Sequence, residues 1–251
     1  MTEGFWLSDQ AWAAIKPLLP HNQPGARRKD DRRVISGIIH VLKSGCRWKD
    51  CPREYGPPTT IYNRFNRWSR RGLWQKIFAE LVGQAEIPHE LSIDSTAVRA
   101  HRSAHGGKGG PKIHCIGRSR GGPTTKIHAL TDGYGRIAAF SLTPRNIADI
   151  SAAPALLATM PAPRRLLGDR GYDANSLRAT LARAGTEAVI PSTRSRKRPI
   201  PHDVQAYRAR NLIERAFCRL KDFRRIATRY DKLAQNFLSA VAIAAFILWW
   251  T

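Results

Sequence analysis

An α/β fold preceded by an all-helical N-terminal segment is what this sequence predicts. Three observations carry that expectation. Residues 1–83 place their apolar residues at helical spacing. After QAEIPHE, 84–90, short apolar runs read as strands and alternate with helical segments. The chain has 251 residues, 42% of them hydrophobic, enough to bury a sizeable core.

The N-terminal elements follow in order. LSDQAWAAIKPLLP opens on Ser8 as an N-cap and closes at Pro20. DDRRVISGIIHVLKSG opens with two acids and ends on Gly45, the charge order a helix dipole favours. Its Val34, Ile38, Val41 and Leu42 sit at helical spacing. YGPPTTIYNRFNRWSRRG starts a helix at Pro58 with Thr59 or Thr60, and Ile61, Phe65 and Trp68 form the apolar stripe. LWQKIFAELVG closes the segment. Several short helices, the last but one rich in Arg and Asn, suit a helix-turn-helix-like DNA reader. Thr59, Thr60, Asn63, Arg64 and Arg67 are its candidate DNA contacts. An ordinary helical domain with solvated arginines is the alternative.

Residues 84–90 read as a linker containing Pro88, and 91–251 as the α/β domain. ELSIDST is a short apolar strand. GGKGGPK, 106–112, lacks the spacing of a nucleotide-phosphate loop and reads as a flexible or DNA-contacting loop. TTKIHALTDGYGRIAAFSLTP is a β-hairpin turning at Asp132-Gly133. SAAPALLATM is a helix capped from Asp149, and RRLLGDRGYD a strand ending near Asp169. DANSLRATLARAG is a helix with Asp173 as candidate N-cap and Gly185 beyond its end. EAVIPST is a strand, and STRSRKRPIPHD a basic loop whose Arg194, Arg196 and Lys197 are candidate DNA contacts. From about 204 the chain is helical. LSAVAIAAFILWW has thirteen residues, short of the ~20 that span a bilayer, and reads as a buried core helix.

Charge narrows the partner. The formal net charge is +23, from 42 basic and 19 acidic residues, which favours a polyanion such as a phosphate backbone. Cys46, Cys51, Cys115 and Cys218 form no Cys-x-x-Cys pair and suit a reducing cytosol rather than structural zinc. MTEGFWLSDQ lacks the basic start and apolar run of a signal peptide. A membrane role and a nucleotide cofactor are therefore not expected.

A basic chain that does chemistry on DNA needs carboxylates where hard cations bind. Asp94 and Asp169 each end a predicted strand, although Asp is also common in turns and caps. On the helix through YRARNLIERAFCRLK, Tyr207, Arg210, Glu214 and Lys221 are spaced three, four and seven apart. At ~100° per residue they share an arc of roughly 60°. A solvated helix with an Arg–Glu pair at i, i+4 is the plain alternative.

The pattern Tyr-x2-Arg-x3-Glu-x6-Lys at these positions resembles the signature around the catalytic glutamate of bacterial insertion-sequence transposases of the Asp-Asp-Glu type. Nearly the whole chain is similar to the insertion-sequence five family. The stretches DDRRVISGIIHVLKSGCRWKDCP, YGPPTTIYNRFNRWSRRGLW, IDSTAVRAH, IGRSRGGPTTKIHALTDGYGR, DRGYDANSLR and NLIERAFCRLKDFRRIATRYDKL carry the likeness. Arg170 stands where Lys is the more usual residue, and it keeps the charge.

The resemblance implies a ribonuclease-H-like fold, a mixed five-stranded sheet flanked by helices. Asp94 falls on its first strand, Asp169 after the fourth and Glu214 on a later helix. It further implies that the three carboxylates bind two Mg2+ ions, with Mn2+ as a substitute. The expected reaction is cleavage at the ends of an insertion element and joining of the 3′ ends to target DNA. Arg210 and Lys221 become candidate phosphate contacts beside the catalytic acids, and Tyr207 stacks on a base or packs. The expected partners are double-stranded DNA, as terminal inverted repeats and target, and further copies of the chain. The expected location is the bacterial cytoplasm, at the nucleoid. The competing reading is a non-catalytic DNA-binding regulator or inactivated relative. It keeps the helical segment and the charge but has no need of three convergent acids.

Overall fold

The computed structural model describes residues 4–21, 30–87 and 89–251. The first three residues of the N-terminal stretch, Pro88 of the predicted linker and the Lys112 side chain of GGKGGPK lie outside the described residues. In chain order the helices before the first strand are α1 (Asp9–Ile15), α2 (Asp31–Ser44), α3 (Pro58–Arg70) and α4 (Leu73–Gly83). There follow β1 (Glu90–Ala100), α5 (Gly110–Ile113), β2 (Gly117–Ser119), β3 (Gly122–Asp132), β4 (Ile137–Pro144), α6 (Asp149–Leu157), β5 (Arg165–Gly168), α7 (Asn175–Arg183) and β6 (Glu187–Val189). The chain closes through α8 (Val204–Tyr207), α9 (Asn211–Lys221), α10 (Arg224–Ala227), β7 (Thr228–Arg229) and α11 (Ala234–Trp249).

Two compact units form. One comprises Met1–Ala85, His101–His105 and Leu220–Thr251, the other Glu86–Ala100 and Gly106–Arg219. The sequence reading kept 91–251 together, whereas the last 32 residues, Leu220–Thr251, pack with the N-terminal helices. The physical reason is α11. It is apolar on nearly all sides, with ten of its sixteen residues buried, and such a helix needs cover all round. Helices α3 and α4 supply part of it, and Gln235 Nε2 donates to Ser69 O at 3.0 Å.

The local signals of the first unit are met. Ser8 Oγ accepts from Ala11 N at 3.0 Å. Asp30 caps α2 by accepting from Arg33 N, and Gly45 ends that helix in the left-handed region at φ 80°, where a side chain would be strained. Pro58 opens α3, as its fixed φ favours. Ile61, Phe65 and Trp68 are all buried.

The second unit is built on the predicted mixed sheet flanked by helices. Five strands run in the order β4-β3-β1-β5-β6. β3 is antiparallel to β1 and β4, while β1, β5 and β6 are parallel. β1 occupies one edge of β3, so short β2 extends the β4 edge by pairing Gly117 with Thr124. β1 is longer than ELSIDST because its pairing with β3 continues to Arg99. Leu91, Ile93, Leu130 and Leu166 from the strands meet Leu156 of α6 and Leu177 of α7 in the core.

Two caps predicted from sequence are absent. Asp149 is the first residue of α6 and makes no cap bond. Asp173 precedes Ala174, the actual N-cap residue of α7, which has no side-chain cap. Both aspartates are drawn instead into ion pairs. The helix expected through Tyr207 and Glu214 is interrupted by a 3-10 turn at Arg208–Arg210.

Candidate active site

Strand register brings two of the predicted acids together. β1 and β5 are parallel neighbours and Ile93 pairs with Gly168, so Asp94 and Asp169 come next in register, Asp169 just past the carboxyl end of β5 and Asp94 within β1, which runs on to Ala100 rather than ending at the acid. Adjacent strands lie ~4.8 Å apart, and the carboxyl edge of parallel strands is where α/β sheets bind ligands. Gly168 permits this approach: a Cβ there would lie 3.2 Å from Ile93 Cγ2 and 3.4 Å from the Tyr172 side chain.

Each aspartate is oriented. Ser95 N donates to Asp94 Oδ1 at 2.7 Å, and Gly171 N donates to Asp169 Oδ1 at 2.8 Å. Arg210 then joins the third acid. Its Nη1 donates to Asp94 Oδ2 at 2.8 Å, and its Nη2 donates to Glu214 Oε1. Arg210 also lies 5.8 Å over the Tyr207 ring, because a 3-10 turn eclipses residues three apart. Tyr207, Arg210 and Glu214 are thus brought together with Asp94. Lys221, two turns beyond Glu214, is half-buried and falls past the division between the two units.

Burial pushes the Asp94 carboxyl above its usual range, and the neighbouring Asp169 charge adds to this. The Ser95 N–H and Arg210 oppose the rise. Burial also works against the Arg210 charge, yet Asp94, Tyr207 and Glu214 hold its pKa above the ordinary value. Two carboxylates at one sheet edge call for positive charge, and here Arg210 supplies it.

Behind Asp94 lies a layer that the sequence reading missed. Asp149 Oδ1 accepts from Ser95 Oγ and from Lys126 Nζ, both at 2.8 Å. Lys126 is 4% exposed and also donates to Ile147 O at 2.7 Å. Burial would raise the Asp149 pKa, but Lys126 and Ser95 hold it below its usual value. His128 is buried 3.7 Å from the same carboxylate, and burial lowers its pKa to about 4. Tyr172 is buried under the aspartates, and its hydroxyl has no hydrogen-bond partner among the described residues. A charged residue within an apolar strand, Lys126 in TTKIHALTD, was the available signal, since a buried Lys needs a partner.

The other candidates divide. On α3, Thr59, Thr60, Asn63 and Arg67 are exposed. Asn63 and Arg67 line a hollow with Asn66, Arg70 and Arg71. Arg64 departs from this face: it pairs with Asp31 on α2 and is 10% exposed. In the basic loop Arg194 and Lys197 are exposed. Arg196 turns inward, its Nε and Nη2 each 2.8 Å from an Asp173 oxygen and its Nη1 2.8 Å from Asn175 Oδ1. Arg178 and Thr193 N complete that hub. Burial acts to raise the Asp173 pKa, but these donors hold it far below the carboxylate range.

The donor set suits a hard cation in kind, with three carboxylates and no thiol or imidazole. Among the described residues, however, no three His, Cys, Asp or Glu side chains are grouped closely enough to hold an ion. Arg210 stands between Asp94 and Glu214, so ion binding by all three requires Arg210 to let go of at least one.

Residues 7–78 match the family described as "Putative transposase of IS4/5 family". Residues 88–250, which hold the whole carboxylate arrangement, match the family "Transposase DDE domain". The chain belongs to the DDE transposase family. It is 34% identical over 129 residues to "Putative transposase for insertion sequence element IS6501" of Brucella ovis, covering 50% of this chain and 98% of that protein. With "Putative transposase for insertion sequence element IS402" of Burkholderia cepacia it shares 28% identity over 153 residues, 57% of this chain and 70% of the relative. Overlap with solved structures is looser. The piggyBac transposase synaptic complex with hairpin DNA gives a TM-score of 0.42 at 13% identity, over 75% of this chain and 48% of that one. This chain thus spans about half the length of the piggyBac chain. The catalytic core domain of BIV integrase gives 0.38 at 18% identity, over 64% and 82% of the two chains. As a DDE transposase, the protein acts in DNA transposition, and its family generally uses divalent metal ions. No helix among the described residues is long and apolar enough to cross a membrane.

Proposed function

We propose that this DDE transposase binds the ends of its own insertion sequence, cleaves them, and joins the 3′ ends to target DNA with two Mg2+ ions, or Mn2+, at Asp94, Asp169 and Glu214. The observation that carries this reading is that Asp94 and Asp169 directly follow the paired residues Ile93 and Gly168 of parallel β1 and β5, with Arg210 linking Asp94 to Glu214. Ions held there would activate the attacking oxygen and offset charge on the leaving oxygen.

The chain's own residues prepare that chemistry. Ser95 N and Gly171 N fix the two aspartates, so little reorganisation is left for the reaction itself. Glu214 is the exposed member, 56% accessible at its side chain, and is the acid free to adjust. Arg210 holds the acids while they lack a cation, and afterwards has its guanidinium available for DNA phosphate. Tyr207 extends that face. The helical segment 1–83 reads the element ends through Thr59, Thr60, Asn63 and Arg67 on α3. Segment 84–90 leads from it toward the acids, which lie in the unit formed by Glu86–Ala100 and Gly106–Arg219. Arg194 and Lys197 grip the backbone nearby. The protein works as a homo-oligomer on DNA, at the nucleoid.

The test uses the full chain and the DNA that flanks its gene. Nicks at the element ends in Mg2+, abolished by a chelator, are expected on end-labelled duplex. Tight end binding with no cleavage in Mg2+ or Mn2+ would instead identify a non-catalytic DNA-binding regulator.

A further inference from the structure

At the far end of β1 from the carboxylates, Arg99, Arg118, Arg120 and Arg145 line one hollow of about 700 Å³ with Ala97, Ser119 and Thr124. The four arginines come from β1, from β2 and the β2–β3 turn, and from the residue after β4. All four are exposed. Among the described residues none of them pairs with a carboxylate, and no acid lines the hollow. Arg99 Nη2 donates to Gly121 O at 2.9 Å and so holds the β2–β3 turn over β1. Ser119 Oγ accepts or donates at 3.1 Å to Thr124 Oγ1 and fixes the same corner.

Four like charges converging without a counterion repel one another, whereas most protein surfaces intersperse both signs. A polyanion relieves that repulsion, and guanidinium forks match phosphate oxygens. The hollow of about 700 Å³ has room for several backbone phosphates. Its position separates it from the cleavage site. Asp94 and Arg99 are five residues apart, hence on opposite faces of β1 and ~17 Å apart along it. The phosphates taken here are therefore not the scissile one.

We infer that this arginine hollow is a second DNA-backbone site, holding a stretch of duplex distinct from the one presented to Asp94 and Asp169. The inference rests on the reading of the protein as a DNA-cleaving transposase. Phosphate contacts of this kind carry no sequence preference. They add to the salt dependence of binding, about 0.9 per phosphate in the slope of log K against log salt.

The experiment compares wild type with Arg118→Ala/Arg120→Ala/Arg145→Ala for binding of a long generic duplex across a salt series. Arg99 is left in place because it holds the turn. The expected result is a slope lower by about 2.7, so that wild type loses about 40-fold more affinity than the variant between 50 and 200 mM salt. The triple Lys variant, which preserves charge, should keep the wild-type slope and shows that the corner tolerates substitution. A wild-type slope in the triple Ala variant overturns the hollow and leaves the transposase reading intact. A wild-type chain that binds no duplex overturns both. Displacement of duplex by millimolar inorganic phosphate at fixed ionic strength, seen in wild type and lost in the Ala variant, marks a small-anion site and overturns the duplex assignment.

Discussion

Asp94→Asn and Asp169→Asn are each expected to slow DNA cleavage by on the order of 10³-fold or more, while duplex affinity stays within about threefold of wild type. The two acids follow the paired residues Ile93 and Gly168 on neighbouring parallel strands. Asn preserves their shape and the bond from Ser95 N or Gly171 N. What each substitution removes is a hard anionic ligand. It also removes negative charge beside the DNA backbone, so binding has no reason to weaken. Cleavage of end-labelled duplex and fluorescence anisotropy on the same samples separate the two effects. Parallel loss of affinity and cleavage would assign the aspartates to DNA binding rather than to chemistry.

The second large effect lies behind the site and concerns stability. Asp149→Ala leaves Lys126 buried with only Ile147 O as partner. Breaking a buried pair in this way costs about 3–5 kcal/mol, because the remaining charge has lost its compensation. Asp149 itself is partly open, 34% accessible at its side chain, so the reverse change Lys126→Met should cost less. The double variant Asp149→Ala/Lys126→Met removes both charges and should recover most of the loss. Urea unfolding of the three variants measures this. A double variant as unstable as Asp149→Ala would show that the pair acts through backbone contacts instead.

The elements were legible because their signals are local. Ser8, Pro58, Gly45 and the stripe Ile61, Phe65 and Trp68 each act within a turn or two of their own positions, and all stand where expected. The same holds for Asp132, which closes its hairpin by accepting from Tyr134 N and Arg136 N. Misread residues answer to distant parts of the chain. Asp149 stands at the start of a helix, where a cap is expected, but Lys126 lies 23 residues upstream and claims the carboxylate. Asp173 likewise belongs to Arg196, also 23 residues away. Arg64 looked like a DNA contact on its helix, yet Asp31, 33 residues earlier, takes it inward. A single sequence carries such pairings only as unexplained charge in apolar surroundings.

Among the carboxylates, spacing placed Glu214 beside Arg210, and family likeness joined it to Asp94 and Asp169. The bridge from Arg210 to Asp94 spans 116 residues and no local pattern announces it. That bridge gives Arg210 a role as stand-in cation, beyond the phosphate contact or simple Glu214 pairing weighed from sequence.

The most direct test of the central claim is Mn2+ binding followed by electron paramagnetic resonance, on the full chain bound to duplex. Wild type is expected to bind Mn2+. Asp94→Asn, Asp169→Asn and Glu214→Gln should each weaken that binding by at least about tenfold. Wild-type Mn2+ affinity in all three variants would contradict the assignment of these carboxylates as the metal-holding centre.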